Sequence, residues 1–291
     1  MNVSPATELF RNHPHTYEDN RFVYVVVSRR SGGVSIGINL NPEKACNFDC
    51  VYCQVDRTVR GRPAMRKSEL PQLAEELHEM VRLVTSGELF QYPQFINTPQ
   101  PLRRLNDIAL SGDGEPTASP QFQAVIDICV AARLQSKLEE VKIVIISNAT
   151  MFRRPNVKAA LAMLDQNNGE IWGKLDAGTE AYYREIDRSD VPLADVIENL
   201  VDVSTLRPIV IQTLFMRLSG VGPSAEELQA YCGQLQTIVA RGGQIKLVQI
   251  HTVARAPAES FVTALDDGEV DAIVEFVRQE TGLPAVAYYS G

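Results

Sequence analysis

Ile108-Ala109-Leu110-Ser111-Gly112-Asp113-Gly114 is an apolar triplet that stops at once in turn-forming residues, the mark of a short buried strand. Downstream, Phe122, Val125, Ile126, Cys129 and Val130 recur at the spacing of a helix face. Val141 to Ile146 (VKIVII) then reads as another buried strand. Strand, turn, helix and strand in this order make a βαβ unit, whose two strands run parallel with a right-handed crossover.

The same alternation continues in both directions. Upstream, Phe22–Ser28 and Val34–Leu40 read as β-branched strands, followed by a long loop from Asn41 to about Arg66. Leu73, Leu77, Met80, Val81 and Val84 form the next helix face. Downstream, helices are expected over Val157–Leu164, Leu193–Val203 and Ser224–Val239, and strands over Ile171–Leu175, Pro208–Leu214 and Ile245–Ile250. Ser224 and Glu227 have the spacing of a capping box. Val270, Ile273, Val274 and Val277 predict a last helix, and Pro284–Tyr289 a final strand. This is an α/β chain with a parallel sheet and about six β/α units, too few for an eight-unit barrel. No Pro/Gly/Ser-rich linker splits residues 1–291, so one domain is expected, with 256–291 as a C-terminal helix and strand.

Composition narrows the class. The 291 residues carry a net charge of −8, which disfavours a broad nucleic-acid surface. The longest purely apolar run, Phe22–Val27, is far too short to span a bilayer. The N-terminal MNVSPATELFRNHPH lacks the basic start and apolar stretch of a leader. A cytoplasmic chain without membrane contact is expected, whose five cysteines stay reduced and form no disulfide framework.

Three of those cysteines lie in one polar loop, Cys46-Asn47-Phe48-Asp49-Cys50-Val51-Tyr52-Cys53, after a strand. Three thiolates so close in sequence suit a soft metal centre. A closed zinc site wants a fourth ligand, and no second C-x2-C hook exists, so it would need a distant one. An iron–sulfur cluster with one iron left open fits better. Cys129 and Cys232 instead fall on apolar helix faces, as core residues do.

The C-x3-C-x2-C spacing of Cys46, Cys50 and Cys53, with Tyr52 before the last, resembles the signature of the radical S-adenosylmethionine (radical SAM) superfamily. The resemblance covers about residues 33–255 and implies a partial (β/α)6 TIM-like barrel with short N- and C-terminal extensions. It also implies a [4Fe-4S] cluster held by these three cysteines, and S-adenosyl-L-methionine at the open iron. The turn Gly112-Asp113-Gly114-Glu115-Pro116 resembles the family motif that receives the methionine amino group, through Gly112, Gly114 and Glu115. Ser147 and Asn148, at the end of the next strand, stand where the family contacts ribose or the methionine carboxylate; Asn148 suits a turn role equally. Lys174 and Asp176 share one face of a strand and resemble the family's charged pair, although a mutual structural ion pair explains them too. Gln212, a buried-strand amide, and His251, at a strand end, are further cofactor candidates. Arg217 and Arg255 are candidate contacts for an anionic substrate.

The implied activity is reductive cleavage of S-adenosylmethionine to a 5′-deoxyadenosyl radical, served by an external flavodoxin- or ferredoxin-type electron donor. No acid–base catalytic residue stands out, and the sequence lacks G-x-S-x-G, P-loop and H-E-x-x-H motifs. The segments Cys53–Thr58, Gly112–Thr117 and Lys174–Glu180 look like uncharacterised radical SAM iron–sulfur oxidoreductases related to wybutosine-type tRNA-modifying enzymes. A small molecule or peptide is the expected substrate. RNA or a protein partner is the alternative, with Arg57, Arg60, Arg62 and Arg66 as a phosphate footprint or simply a solvated loop. A non-catalytic electron-transfer protein would not need the nucleoside-binding loops.

Overall fold

Along a strand, successive side chains face opposite ways, and here the two faces have different work. In Lys142–Ser147, Ile143 and Ile145 join the large core, whereas Val144 and Ile146 belong to a separate inner layer with Ala109, Trp172 and Val210. The sheet is thus buried on both faces, as a parallel sheet between helices and a barrel interior must be.

The computed structural model describes residues 17–28 and 30–290; the reading of the N-terminal fifteen residues lies outside these. One sheet contains β1 (Val23–Ser28), β2 (Gly33–Ile38), β3 (Leu105–Leu110), β4 (Lys142–Ser147), β5 (Gly169–Lys174), β6 (Ile209–Leu214), β8 (Ile245–His251) and β10 (Ala285–Tyr288), in that spatial order. A small antiparallel pair, β7 (Arg217–Leu218) and β9 (Val262–Thr263), lies apart from it. The helices are α1 (Leu70–Ser86), α2 (Phe122–Gln135), α3 (Pro155–Asp165), α4 (Glu180–Ile186), α5 (Leu193–Leu206), α6 (Ala225–Ala240) and α7 (Asp267–Thr281). Strands β2 to β6 and β8 are parallel, giving the six expected units, and the sheet curls into an open half-barrel. β10 extends it in parallel at one edge.

The other edge departs from simple alternation. β1 and β2 pair antiparallel, Val23 opposite Ile38 and Ser28 opposite Gly33. Only four residues join them, too few for the crossover that a parallel pair requires. Among the described residues no helix is long and apolar enough to cross a membrane. Cys129 and Cys232 are fully buried on α2 and α6, as their apolar helix faces predict, although Val239 at the end of α6 is exposed.

The capping box is half realised. Ser224 accepts from Glu227 N at 3.2 Å, but the Glu227 carboxylate turns to the loop after β5. There it accepts Thr179 Oγ1 at 2.6 Å and the Gly178 and Thr179 amides. This buried carboxylate fastens α6 to the start of α4, whose first turn is capped by the same Thr179. Glu227→Ala strands those donors and should cost about 2–3 kcal/mol in urea unfolding.

The inner face also carries Asp107, buried on β3 and bonded by Ser35 Oγ across from β2. Burial pushes its carboxyl up to about 6, against the pull of Ser35. The native state therefore holds this proton longer than the unfolded chain, so stability falls as pH rises from about 4 to 6. Asp107→Asn should remove that loss: relative to the unsubstituted chain it should gain on the order of 2–3 kcal/mol between those pH values in denaturant titrations.

Candidate active site

The strand ends and the loops beyond them open on a cavity of about 330 Å³. Cys46, Cys50, Tyr52, Cys53, Gly112, Gly114, Glu115, Ser147, Asn148, Lys174, Gln212 and His251 all line it, whereas Asp176 is buried behind Lys174 and Tyr52.

The cysteine loop hangs from α4. Asp49 N donates to Asp187 O at 3.0 Å, and Val51 N to Ile186 O at 2.8 Å. Phe48 packs edge-on against Tyr183, ring centroids 5.7 Å apart. This helix was not foreseen, although Thr179 as cap with Tyr183 and Ile186 on one face is a legible signal. Cys50 Sγ donates to Asp187 Oδ1 at 3.2 Å, and burial with that carboxylate pushes the thiol well above its ordinary range. Burial also raises the Cys46 thiol, although its sulfur accepts Phe48 N at 3.5 Å.

Among the described residues, no three His, Cys, Asp or Glu side chains are arranged to hold one metal ion. A cubane cluster makes a different demand: each cysteine binds its own iron, so the thiolates stand farther apart than around one zinc at about 2.3 Å each. Three thiols on one loop, all at the wall of one cavity, are a donor set that suits such a cluster.

Tyr52 is the hub beneath the loop. Its hydroxyl accepts from Lys174 Nζ at 2.7 Å and faces two carboxylates, Asp176 Oδ2 and Asp187 Oδ1, the latter at 2.9 Å. It has one proton to give, so the two carboxylates compete for it. Burial first, and Asp176 second, push Asp187 above the usual carboxylate range. Lys174 also meets Asp176 Oδ2 at 3.3 Å and lies 4.5 Å from the Tyr52 ring centroid. Burial alone would lower its ammonium, but Asp176, Cys50 and Asp187 outweigh burial and hold it above its usual range. The Lys174–Asp176 pair is thus a structural ion pair whose cation also faces the cavity. Asp187 escaped the sequence reading because nothing local links it to the cysteines, 134 or more positions away.

The turn after β3 locks onto the cysteine loop. Gly112 has φ +141°, and a Cβ there would meet Asn39 Oδ1 at 2.7 Å. A Cβ on Gly114 would fall on the Ala45 carbonyl. Glu115 is buried, and its Oε1 accepts Ser147 Oγ at 2.7 Å together with Thr117 N and Oγ1. Among the described residues its Oε2 accepts only Asn148 N, at 2.8 Å, which leaves that oxygen room for another donor. Asn148 Nδ2 reaches Asn47 Oδ1 at 2.8 Å, while its Oδ1 accepts from Thr150, so Asn148 both shapes its turn and braces the loop.

Gln212 donates to Gln249 Oε1 at 3.2 Å on the inner face, and His251 lies at the cavity wall. Arg217 is committed elsewhere, 2.6 Å from Glu269, and is no candidate for a substrate anion. Arg255 does line the cavity, and Arg30, which the sequence did not single out, joins it. Of the loop arginines, Arg62 bonds Asn20 O and Arg66 pairs with Glu69. Arg57 meets Asp49 at 3.2 Å but also lines the cavity.

Comparison with known proteins agrees with this geometry. The Radical SAM superfamily model matches residues 40–217. A UPF0026 protein of Helicobacter pylori is 23% identical over 240 residues, covering 82% of this chain and 68% of its own. Another, from Methanocaldococcus jannaschii, is 28% identical over 180 residues, covering 60% and 47%. The chain therefore spans about half the length of the second. A solved structure of TYW1 with a lysine-pyruvate adduct bound shares the fold, with TM-score 0.51, 13% identity, and 86% of this chain and 74% of that one covered. With well over half its residues matched by the family model, on the half-barrel and around the cysteine loop, the chain belongs to the Radical SAM superfamily of enzymes.

Proposed function

We propose that Cys46, Cys50 and Cys53 hold a [4Fe-4S] cluster, that S-adenosylmethionine binds beside it, and that the chain uses the pair to abstract hydrogen from a substrate in the same cavity. The observation that carries this is convergence: the three thiols, the Gly112–Glu115 turn and the Ser147–Asn148 strand end line one cavity. When bound, the cluster supplies the electron that cleaves S-adenosylmethionine to methionine and a 5′-deoxyadenosyl radical. The protein's part is to orient and to exclude water. The glycine turn lets backbone approach the ligand, and Glu115 Oε2 keeps a lone pair for the methionine ammonium. Lys174, held cationic by Asp176, suits the carboxylate or ribose. An external flavodoxin- or ferredoxin-type donor would supply electrons. We take the chain to act as one domain, since eight of its ten strands, from β1 at one edge to β10 at the other, form a single sheet.

A second reading makes the substrate an RNA. The resemblance to tRNA-modifying enzymes supports it, as do Arg57 and Arg255 at the cavity wall. In the reconstituted, dithionite-reduced protein, 5′-deoxyadenosine release is expected. The Cys46/Cys50/Cys53→Ala triple variant should lose both that product and the brown chromophore. A full iron complement in the variant would overturn the assignment. Added RNA should raise product release if the polymer is the substrate and leave it unchanged otherwise.

Glu115→Gln tests the turn. It keeps the shape but loses the charge opposite the ammonium, so S-adenosylmethionine affinity should fall about ten-fold or more, with iron content unchanged. Unaltered affinity by equilibrium dialysis would remove Glu115 from the binding site.

A further inference from the structure

Arg57 comes shortly after the last cysteine of the loop, Cys53, and turns back over that loop. Its Nη2 donates to Phe48 O at 3.2 Å, and its Nη1 meets Asp49 Oδ1 at 3.2 Å. Both partners lie between Cys46 and Cys50 in the chain. A guanidinium carries further N–H donors in the same fixed plane. The Arg57 side chain is 32% exposed, so it is set against the loop rather than extended into solvent. It lines the cavity together with Cys46 and Cys53. The groups whose charge acts on it are those two thiols and Asp49, and its nitrogens reach the Cys46 sulfur.

The three cysteines therefore stand in two different surroundings. Cys50 is buried and faces Asp187 and Asp176, two carboxylates against which Lys174 supplies one cation. Cys46 and Cys53 are half-buried and face Arg57, and Arg255 also acts on Cys53. Asp49, the carboxylate paired with Arg57, is 63% exposed and lies 3.9 Å from Arg188 as well. Water and Arg188 weaken its hold, so Arg57 keeps much of its charge for the two sulfurs.

Reducing an iron–sulfur cluster adds one electron, and with it one negative charge, while no bond forms or breaks. The protein acts on that step through nearby charge and through hydrogen bonds to the ligating sulfurs. A cation with N–H donors favours the reduced form, and carboxylates oppose it.

We propose that Arg57 is a positioning residue that makes the cluster easier to reduce, its guanidinium held against Cys46 and Cys53 so as to offset the Asp176 and Asp187 carboxylates near Cys50. The electron comes from the external donor and ends on the cluster. This rests on the reading of the three cysteines as cluster ligands, and it is independent of what the substrate is.

The reconstituted full chain is reduced stepwise with dithionite and redox mediators, without S-adenosylmethionine. Electron paramagnetic resonance counts the reduced cluster. At the parent's midpoint, Arg57→Gln should lower the ratio of reduced to oxidised cluster about ten-fold, a shift of about 59 mV to lower potential for one electron. Arg57→Lys keeps the charge but loses the planar fork, and its ratio should fall by only about three-fold. Arg62, which bonds Asn20 O, is the control: Arg62→Gln should stay within about two-fold of the parent, since exposed charge farther off is screened.

A bracing role at Phe48 O alone would lower the iron content of Arg57→Gln and leave unchanged the potential of the clusters that still load. That result overturns the proposal, and so does an equal shift in Arg62→Gln. If Arg57→Gln loads no cluster, Arg57→Lys decides: an intermediate ratio supports the proposal and a ratio equal to the parent's overturns it. A parent chain that loads no cluster defeats the cluster reading and this proposal together. A parent that loads one beside an unshifted Arg57→Gln defeats the proposal alone.

Discussion

The Tyr52 hydroxyl ties together the buried charges beneath the cysteine loop. It gathers Lys174 from the end of β5, Asp176 just beyond it and Asp187 from the end of α4, all buried or nearly so. Two carboxylates and one ammonium are costly to bury separately and acceptable only as a connected set. Asp176 closes the set by accepting Leu214 N at 2.7 Å, which adds β6. A break at any member would leave a charge uncompensated and the loop loose above the cavity.

Glu115 plays the matching part on the opposite wall. It bonds to the start of the turn after β4, while Gly114 before it admits the chain at Ala45, where the cysteine loop begins, against the backbone. The loop is therefore braced on two sides: by Glu115 with Asn148 and Asn47 on one, by Tyr52 and α4 on the other. Rigid positioning of this kind is what chemistry with a reactive radical demands, since water and misplaced side chains must be kept away.

The order of elements was legible because each one carries its own period. The run VKIVII and the 0, 3, 4, 7, 8 pattern after Phe122 need no distant partner to be read, and β4 and α2 appear where they predict. The six-unit count held for the same reason. The direction of β1 followed from linker length, a clue equally local but outweighed by the general alternation. Helix α4 was short and its apolar face small, so its signal was weak. Of the candidate site, the cysteines and the Gly112–Glu115 turn were legible because their chemistry is compact in sequence.

By itself the sequence determined the kinds of element, their order, and the grouping of three thiols on one loop, since all of these depend on neighbours within a few residues. Tertiary structure decided what depends on distance through space. It sent Arg217 to Glu269 and Arg255 to the cavity, brought Asp187 beneath Cys50, and turned Glu227 from its own helix to the loop at Gly178. Burial and charge pairing act between atoms that the fold brings together, and no local pattern records which distant side chain will be there.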